Sequence, residues 1–117
     1  MNILIVEDST LIGLALKRFL ATHVVTVETR PDLALERIVR GDRYHAILLD
    51  LLMPEMTGLT FHARVQEVAP EQAQRIIFMT AAADDARLQP VIDALPNPML
   101  AKPIDVARLR KLLDDLL

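Results

Sequence analysis

Ala46-Ile47-Leu48-Leu49-Asp50-Leu51-Leu52-Met53-Pro54 decides the reading of this chain. Four apolar residues make a short buried strand, and an acid stands at its end. A carboxylate in that place is costly unless something uses it. Three other runs end in the same way. Ile3-Leu4-Ile5-Val6 runs into Glu7-Asp8, Ile76-Ile77-Phe78-Met79 into Thr80, and Met99-Leu100-Ala101 into Lys102-Pro103. If the four runs are neighbouring parallel strands, one sheet edge gathers three acids, a hydroxyl and an ammonium.

The segments between these runs carry a helical period. Residues 10–21 predict a helix with Leu11, Leu14, Ala15 and Phe19 as its apolar stripe and Ser9 as its cap. Val24 to Val27 predicts a second strand. Pro31 suits the first turn of a helix reaching about Arg40, closed by Gly41. Met53 to Gly58 reads as a loop, followed by a helix from Leu59 to Val68 that Pro70 helps to stop. Asp84-Asp85 can open a fourth helix, Pro90 would break or kink it if it lies in the interior, and a short or irregular helix is expected. Either the loop simply tolerates its prolines, or a shortened or disordered helix exposes Leu88, Val91, Ile92 and Leu95 to a partner. Pro96-Asn97-Pro98 forces an extended link. Asp105 caps a last helix with Val106, Leu109, Leu112, Leu113 and Leu116 as its stripe.

Five alternations of strand and helix predict an α/β fold, a five-stranded parallel sheet with helices on both faces and right-handed crossovers. In open sheets of this kind ligands bind beyond the carboxyl ends of the strands, where all four polar ends lie. The 117 residues suit one domain, spanning 1–117. At 52% hydrophobic and 25% charged the chain can bury a core, and with 3% aromatic residues that core is aliphatic. A net charge of -3 without a basic stripe argues against direct nucleic-acid binding. The absence of cysteine excludes disulfides, thiolate metal sites and thiol redox chemistry. No apolar run is long enough to span a membrane, and no leader pattern precedes the first strand, so a soluble cytoplasmic protein is expected. His23, His45 and His62 fall on different elements and form no metal pattern.

Three clustered carboxylates repel one another unless a cation intervenes. A hard divalent ion such as Mg²⁺ takes oxygen ligands and keeps room for a phosphate oxygen. Asp8 and Asp50 are the expected direct ligands, Glu7 acts directly or through water, and the backbone carbonyl of Leu52 can add an oxygen. Asp50 is also placed to be the nucleophile of a phosphoryl transfer. Lys102 would hold a second phosphoryl oxygen and Thr80 a third, as a transition state with charge over three equatorial oxygens requires. Taken singly, each residue has a plainer role: a helix cap for Glu7 or Asp8, a backbone-bonded hydroxyl for Thr80, a solvated lysine for Lys102.

As an ordered set, Ile5-Val6-Glu7-Asp8, Leu48-Leu49-Asp50-Leu51-Leu52-Met53-Pro54 with Gly58, Thr80-Ala81 and Lys102-Pro103 resemble a response-regulator receiver domain of two-component signalling, chemotaxis-receiver-like, over the whole chain. The resemblance implies a flavodoxin-like sheet in the order 2-1-3-4-5. It also implies that Asp50 accepts phosphate from a sensor histidine kinase or histidine phosphotransfer protein, with Mg²⁺ as cofactor and Mn²⁺ able to substitute. A changed interaction with a downstream protein would follow. The chain would then be a signalling domain, not an enzyme, that assists its own phosphorylation and dephosphorylation. A cis Lys102-Pro103 bond is a further implication. The alternatives are a phosphorylation-independent receiver-like scaffold and an aspartyl-nucleophile phosphatase, though the latter normally carries an acid where Leu52 stands. With no linker after the last helix, a stand-alone receiver or a piece of a larger regulator or hybrid kinase is expected.

Three positions depart from the family's pattern. Met99 stands where receivers usually carry an aromatic gate before the lysine, so a muted or different switch is expected. Leu52 and Ala82, which would flank the phosphoryl group, cannot orient an attacking water, so an altered phosphate lifetime is expected.

Overall fold

The computed structural model describes residues 1–82 and 85–116. Its elements are β1 (Asn2–Val6), α1 (Thr10–Phe19), β2 (Val24–Glu28), α2 (Pro31–Val39), β3 (Ala46–Asp50), α3 (Gly58–Val68), α4 (Pro70–Ala73), β4 (Ile76–Thr80), α5 (Gln89–Ala94), β5 (Met99–Ala101) and α6 (Val106–Asp115). All strand pairs are parallel, in the order β2-β1-β3-β4-β5. The order is therefore the one the family resemblance implied.

Helices cover both faces, which explains why β1, β3 and β4 are apolar along their length. Leu4, Val6, Ile47, Leu49 and Phe78 point into a core shared with α2 and α3. Ile3, Ile5, Leu48, Ile77 and Met79 point the other way, towards α1 and α6. Alternation along each strand thus feeds two cores from one sheet.

Local signals set most boundaries. Ser9 caps α1 by accepting the Ile12 N–H, Thr57 caps α3 through the Thr60 N–H, and Asp105 caps α6 through the Ala107 and Arg108 N–H groups. Pro31 opens α2, and Gly41 follows it at φ +115°, a conformation that glycine adopts without strain. The Lys102-Pro103 bond is cis.

Two expectations need correction. Pro70 does more than end α3, because it opens the four-residue α4, which makes six described helices. The helix before β5 is short, as expected, and Pro90 does not lie in its interior. It sits in the first turn of α5, where its missing N–H costs nothing, and the helix is only six residues long. Asp84, expected to help open that helix, lies outside the described residues. Leu88, Val91, Ile92 and Leu95 are half-buried, and Ile92 and Leu95 pack on the core.

The second correction concerns the face that α1 buries. Leu11 is 81% exposed, Leu14 51% and Phe19 50%, while Gly13, Leu16 and Leu20 are buried. Two apolar rows run along this helix, each at helical spacing, and the period alone cannot choose between them. Gly13 decides. A Cβ there would lie 2.7 Å from Val27 Cγ1, so the helix approaches β2 along its glycine row, carrying Leu16 and Leu20 inward. The α6 stripe is as expected, with Leu109 and Leu113 buried and Leu112 and Leu116 packed beside them.

Candidate phosphoryl and metal site

Register brings the polar strand ends level. Val6 pairs with Leu49, so Glu7 and Asp50 are the next residues on adjacent strands. Asp50 pairs with Met79, one residue before Thr80, and Thr80 pairs with Ala101, one before Lys102. Backbone bonds hold the ends in place: Glu7 N–H to Glu28 O at 3.2 Å, Leu51 N–H to Met79 O at 2.8 Å, and Lys102 N–H to Thr80 O at 2.8 Å.

Carboxylate oxygens of Glu7, Asp8 and Asp50 all lie within 4.8 Å of one another. Glu7 is 1% exposed and Asp50 5%, whereas Asp8 faces solvent. The Lys102 ammonium reaches into this cluster, donating to Glu7 Oε2 at 2.6 Å and lying 3.3 Å from Asp50 Oδ2. Asp50 Oδ1 accepts the Leu52 N–H at 3.2 Å, and Glu7 Oε1 accepts the Ser9 N–H at 3.1 Å. Thr80 is buried, and its hydroxyl accepts the Ala82 N–H at 3.0 Å. As an acceptor in that contact, the hydroxyl keeps its own proton to donate.

The electrostatics are those of a site short of one positive charge. Burial pushes the Asp50 carboxyl above its ordinary value and Asp8 adds to the rise, with Lys102 and the Leu52 N–H opposing. Burial likewise raises Glu7, against the hydrogen bonds from Lys102 and Ser9. Burial alone would lower Lys102, but Glu7 and Asp50 outweigh it and hold the ammonium above its usual value. One ammonium thus faces three acids, two of which resist ionising. That deficit and the all-oxygen donor set suit a hard divalent cation.

The residues picked out from the sequence therefore converge on one edge. Two contributions were not legible beforehand. The Ser9 N–H fixes Glu7, and Gly58 carries no side chain because its α-carbon faces the backbone of Asp50 and Leu51. Gly58 stood in the motif that carries the family resemblance, but the cap of α3 is Thr57, and nothing local in the sequence showed the backbone contact. His62, on the far side of the strand ends, tilts against Phe78 with ring centroids 5.7 Å apart and takes no part.

Comparison with known proteins agrees with this geometry. Residues 3–114 match the family model described as response regulator receiver domain. The two-component response regulator ORR3 of Oryza sativa subsp. japonica is 30% identical over 114 residues, covering 92% of this chain and 86% of its own length. The protein-glutamate methylesterase/protein-glutamine glutaminase 3 of Burkholderia thailandensis is 28% identical over 106 residues, and the match spans only 29% of that protein. Among solved structures, the receiver domain of sensor histidine kinase PA1611 from Pseudomonas aeruginosa, with a magnesium ion in its active-site cleft, superposes with a TM-score of 0.82 at 28% identity. It covers 98% of this chain and 95% of its own.

Proposed function

Because the chain belongs to the response regulator receiver family, we propose that residues 1–117 form one receiver domain whose Asp50 accepts a phosphoryl group from the phosphohistidine of a sensor kinase or phosphotransfer protein. The observation that carries this reading is the convergence of Glu7, Asp8 and Asp50 oxygens within 4.8 Å, with an ammonium 3.3 Å from Asp50. The site's residues fit Mg²⁺, with Asp8 and Asp50 as direct ligands, Glu7 direct or through water, and the Leu52 carbonyl completing the protein's share. Bound there, the ion offsets the acids' charge and that of a phosphoryl oxygen. Mn²⁺ satisfies the same donors.

In the transfer an Asp50 oxygen forms a bond to phosphorus as the nitrogen–phosphorus bond of the donor breaks, and the imidazole leaves with that electron pair. Lys102, now paired with two carboxylates, turns to hold a phosphoryl oxygen. Thr80 donates its proton to another. Glu7 keeps Lys102 aimed inward throughout, which fits the shorter of the lysine's two contacts. The domain signals through changed contacts with a downstream protein. The phosphatase alternative needs a general acid two residues past the nucleophile, and Leu52 there is apolar and 47% exposed. Cytoplasmic location belongs to the same reading. Among the described residues no helix is long and apolar enough to cross a membrane.

The test is labelling with acetyl phosphate or a cognate kinase, followed by intact mass and peptide mapping. One phosphoryl group on Asp50 is expected, dependent on Mg²⁺ and absent in Asp50→Ala. Labelling that survives that substitution, or no labelling of wild type, sinks the proposal.

A further inference from the structure

The geometry points to Gly58 as a positioning residue that sets the metal-ligating frame through backbone contact with Asp50. This inference rests on the metal site proposed above. A Cβ built at Gly58 would lie 2.8 Å from the Asp50 carbonyl oxygen and 2.9 Å from Leu51 Cα, both of them backbone atoms. Neither atom can swing aside as a side-chain tip can. The first turn of α3 therefore rests directly on the peptide that follows the acceptor.

Leu51 is gripped from both sides, through the peptide before it and the peptide after it. Leu51 N–H binds Met79 O of β4 at 2.8 Å, and Gly58 N–H binds Leu51 O at 2.8 Å. Next along the chain, the Leu52 N–H holds Asp50 Oδ1. Three consecutive residues thus derive their position from α3 on one side and β4 on the other. Two of the proposed ligand groups, the Asp50 carboxylate and the Leu52 carbonyl, belong to this stretch. The other two, Glu7 and Asp8, follow β1 and do not touch Gly58.

A methyl at position 58 must open the contact from 2.8 Å to the ordinary range, which begins near 3.4 Å. That movement shifts one half of the ligand set against the other by an amount comparable with the ~0.5 Å a preorganised site tolerates. Gly58 is thus an outer support of the kind whose loss weakens metal binding without removing a ligand.

Gly58→Ala tests this against Gly41→Ala, with Mg²⁺ affinity read by titration calorimetry. Gly41 has φ +115° and no atom within 4 Å of a built Cβ, so its substitution strains the backbone far from the site. Gly58→Ala is expected to weaken Mg²⁺ binding by about tenfold, and Gly41→Ala to lower the melting temperature with the wild-type Kd. Without metal, exchange of the Leu52 amide should quicken in Gly58→Ala alone. Should Gly58→Ala not fold, Thr57→Ala, which removes the oxygen that caps α3 through the Thr60 N–H, replaces it and should weaken Mg²⁺ binding by a smaller factor. A wild-type Kd in Gly58→Ala (or in Thr57→Ala where it substitutes), or an equal loss in Gly41→Ala, overturns the positioning role. Failure of wild type itself to bind Mg²⁺ overturns the site reading as well.

Discussion

Asp50→Asn should make the metal-free protein more stable at neutral pH, although it removes the proposed phosphoryl acceptor. The amide keeps the shape of the carboxyl and keeps an oxygen to accept the Leu52 N–H. It deletes a charge whose neighbours are mostly of the same sign. At an effective dielectric of about 20, unit charges 4.8 Å apart, the outer limit for these oxygens, repel by about 3.5 kcal/mol. Glu7 contributes that in full if ionised, and solvent screens the share from exposed Asp8. On the same scale Lys102, 3.3 Å away, returns about 5 kcal/mol. Most of the lysine's partnership survives in Glu7 at 2.6 Å. Burial of the carboxylate is a further cost that the amide largely avoids. Attraction to Lys102 and repulsion from Glu7 nearly offset, so burial and Asp8 decide in favour of Asn, the direction of the raised Asp50 value, by about 1 kcal/mol or about 3–6 °C in Tm.

Proton linkage gives the pH dependence. Asp50 has a folded-state value above its unfolded 3.8, so its protonated form is favoured by folding. Its contribution is fully present below pH 3.8 and is lost as pH rises through the folded value. Glu7, raised above 4.5, follows the same course. The advantage of Asn over wild type should therefore be small in acid and grow towards pH 7. Melting curves in EDTA across that range measure it. Added Mg²⁺ should raise the Tm of wild type and do little for Asp50→Asn. A wild type more stable than Asp50→Asn at pH 7 without metal, or equal Mg²⁺ shifts in both, would refute the charge-deficit argument.

Further outcomes follow from other contacts. Lys102→Ala leaves Glu7 buried with only the Ser9 N–H as partner, so acetyl-phosphate labelling should slow sharply while Mg²⁺ binding persists, and unchanged labelling would remove Lys102 from the transfer. Leu52→Asn puts a polar group where Leu52 is now half in solvent beside Asp50, so phospho-Asp50 should hydrolyse several-fold faster, and an unchanged half-life clears Leu52. Leu16→Ala should cost about 2–5 kcal/mol in chemical denaturation, and Leu11→Ala no more than about 0.5, because only the first faces the core. A phosphate-mimic crystal structure should show Met99 moving little, and a large rotamer swing that remodels the face of β5 and α6 would overturn the muted-switch expectation.

What could be read in advance divides along physical lines. Strand positions were legible because both faces of the sheet are covered, so each buried strand is an unbroken apolar run with one polar terminator. Those terminators gave away the site, since Asp50, Glu7 and Lys102 are all too polar for their neighbours. Helix caps were legible for a similar reason, as Ser9, Asp105 and Gly41 act within three or four residues. The buried face of α1 was not. Leu11, Leu14 and Phe19 offer as good a stripe as Leu16 and Leu20, and the choice depends on Val27, distant in sequence, meeting Gly13. Hydrophobicity tells which residues can be buried, while the closest backbone approach decides which are. Gly58 was picked out by the family resemblance alone, and its contact was illegible on the same ground. What it does is defined by an atom it lacks, opposite a carbonyl eight residues earlier.

Gly58 bears on how a signal could leave Asp50. The family resemblance makes Thr80 and the position of Met99 the expected exit, but Met99 is a flexible chain packed on the core beside Phe78 and has no ring to hold two discrete positions. A switch needs an element with two arrangements that the site biases differently. Gly58 offers mechanical contact without slack, because a shift of the Asp50–Leu51 peptide meets the first turn of α3 backbone to backbone. Packed interiors transmit such displacements instead of absorbing them. Downstream, α3 packs Phe61 and Val65 into the same core as Met99, Ile92 and Leu95. A displacement entering at Gly58 would therefore reach the α5–β5 region from beneath, through the core, where an aromatic gate would act on it from the strand. The weak element there is α5, six residues long with none fully buried, and little packing energy resists its rearrangement.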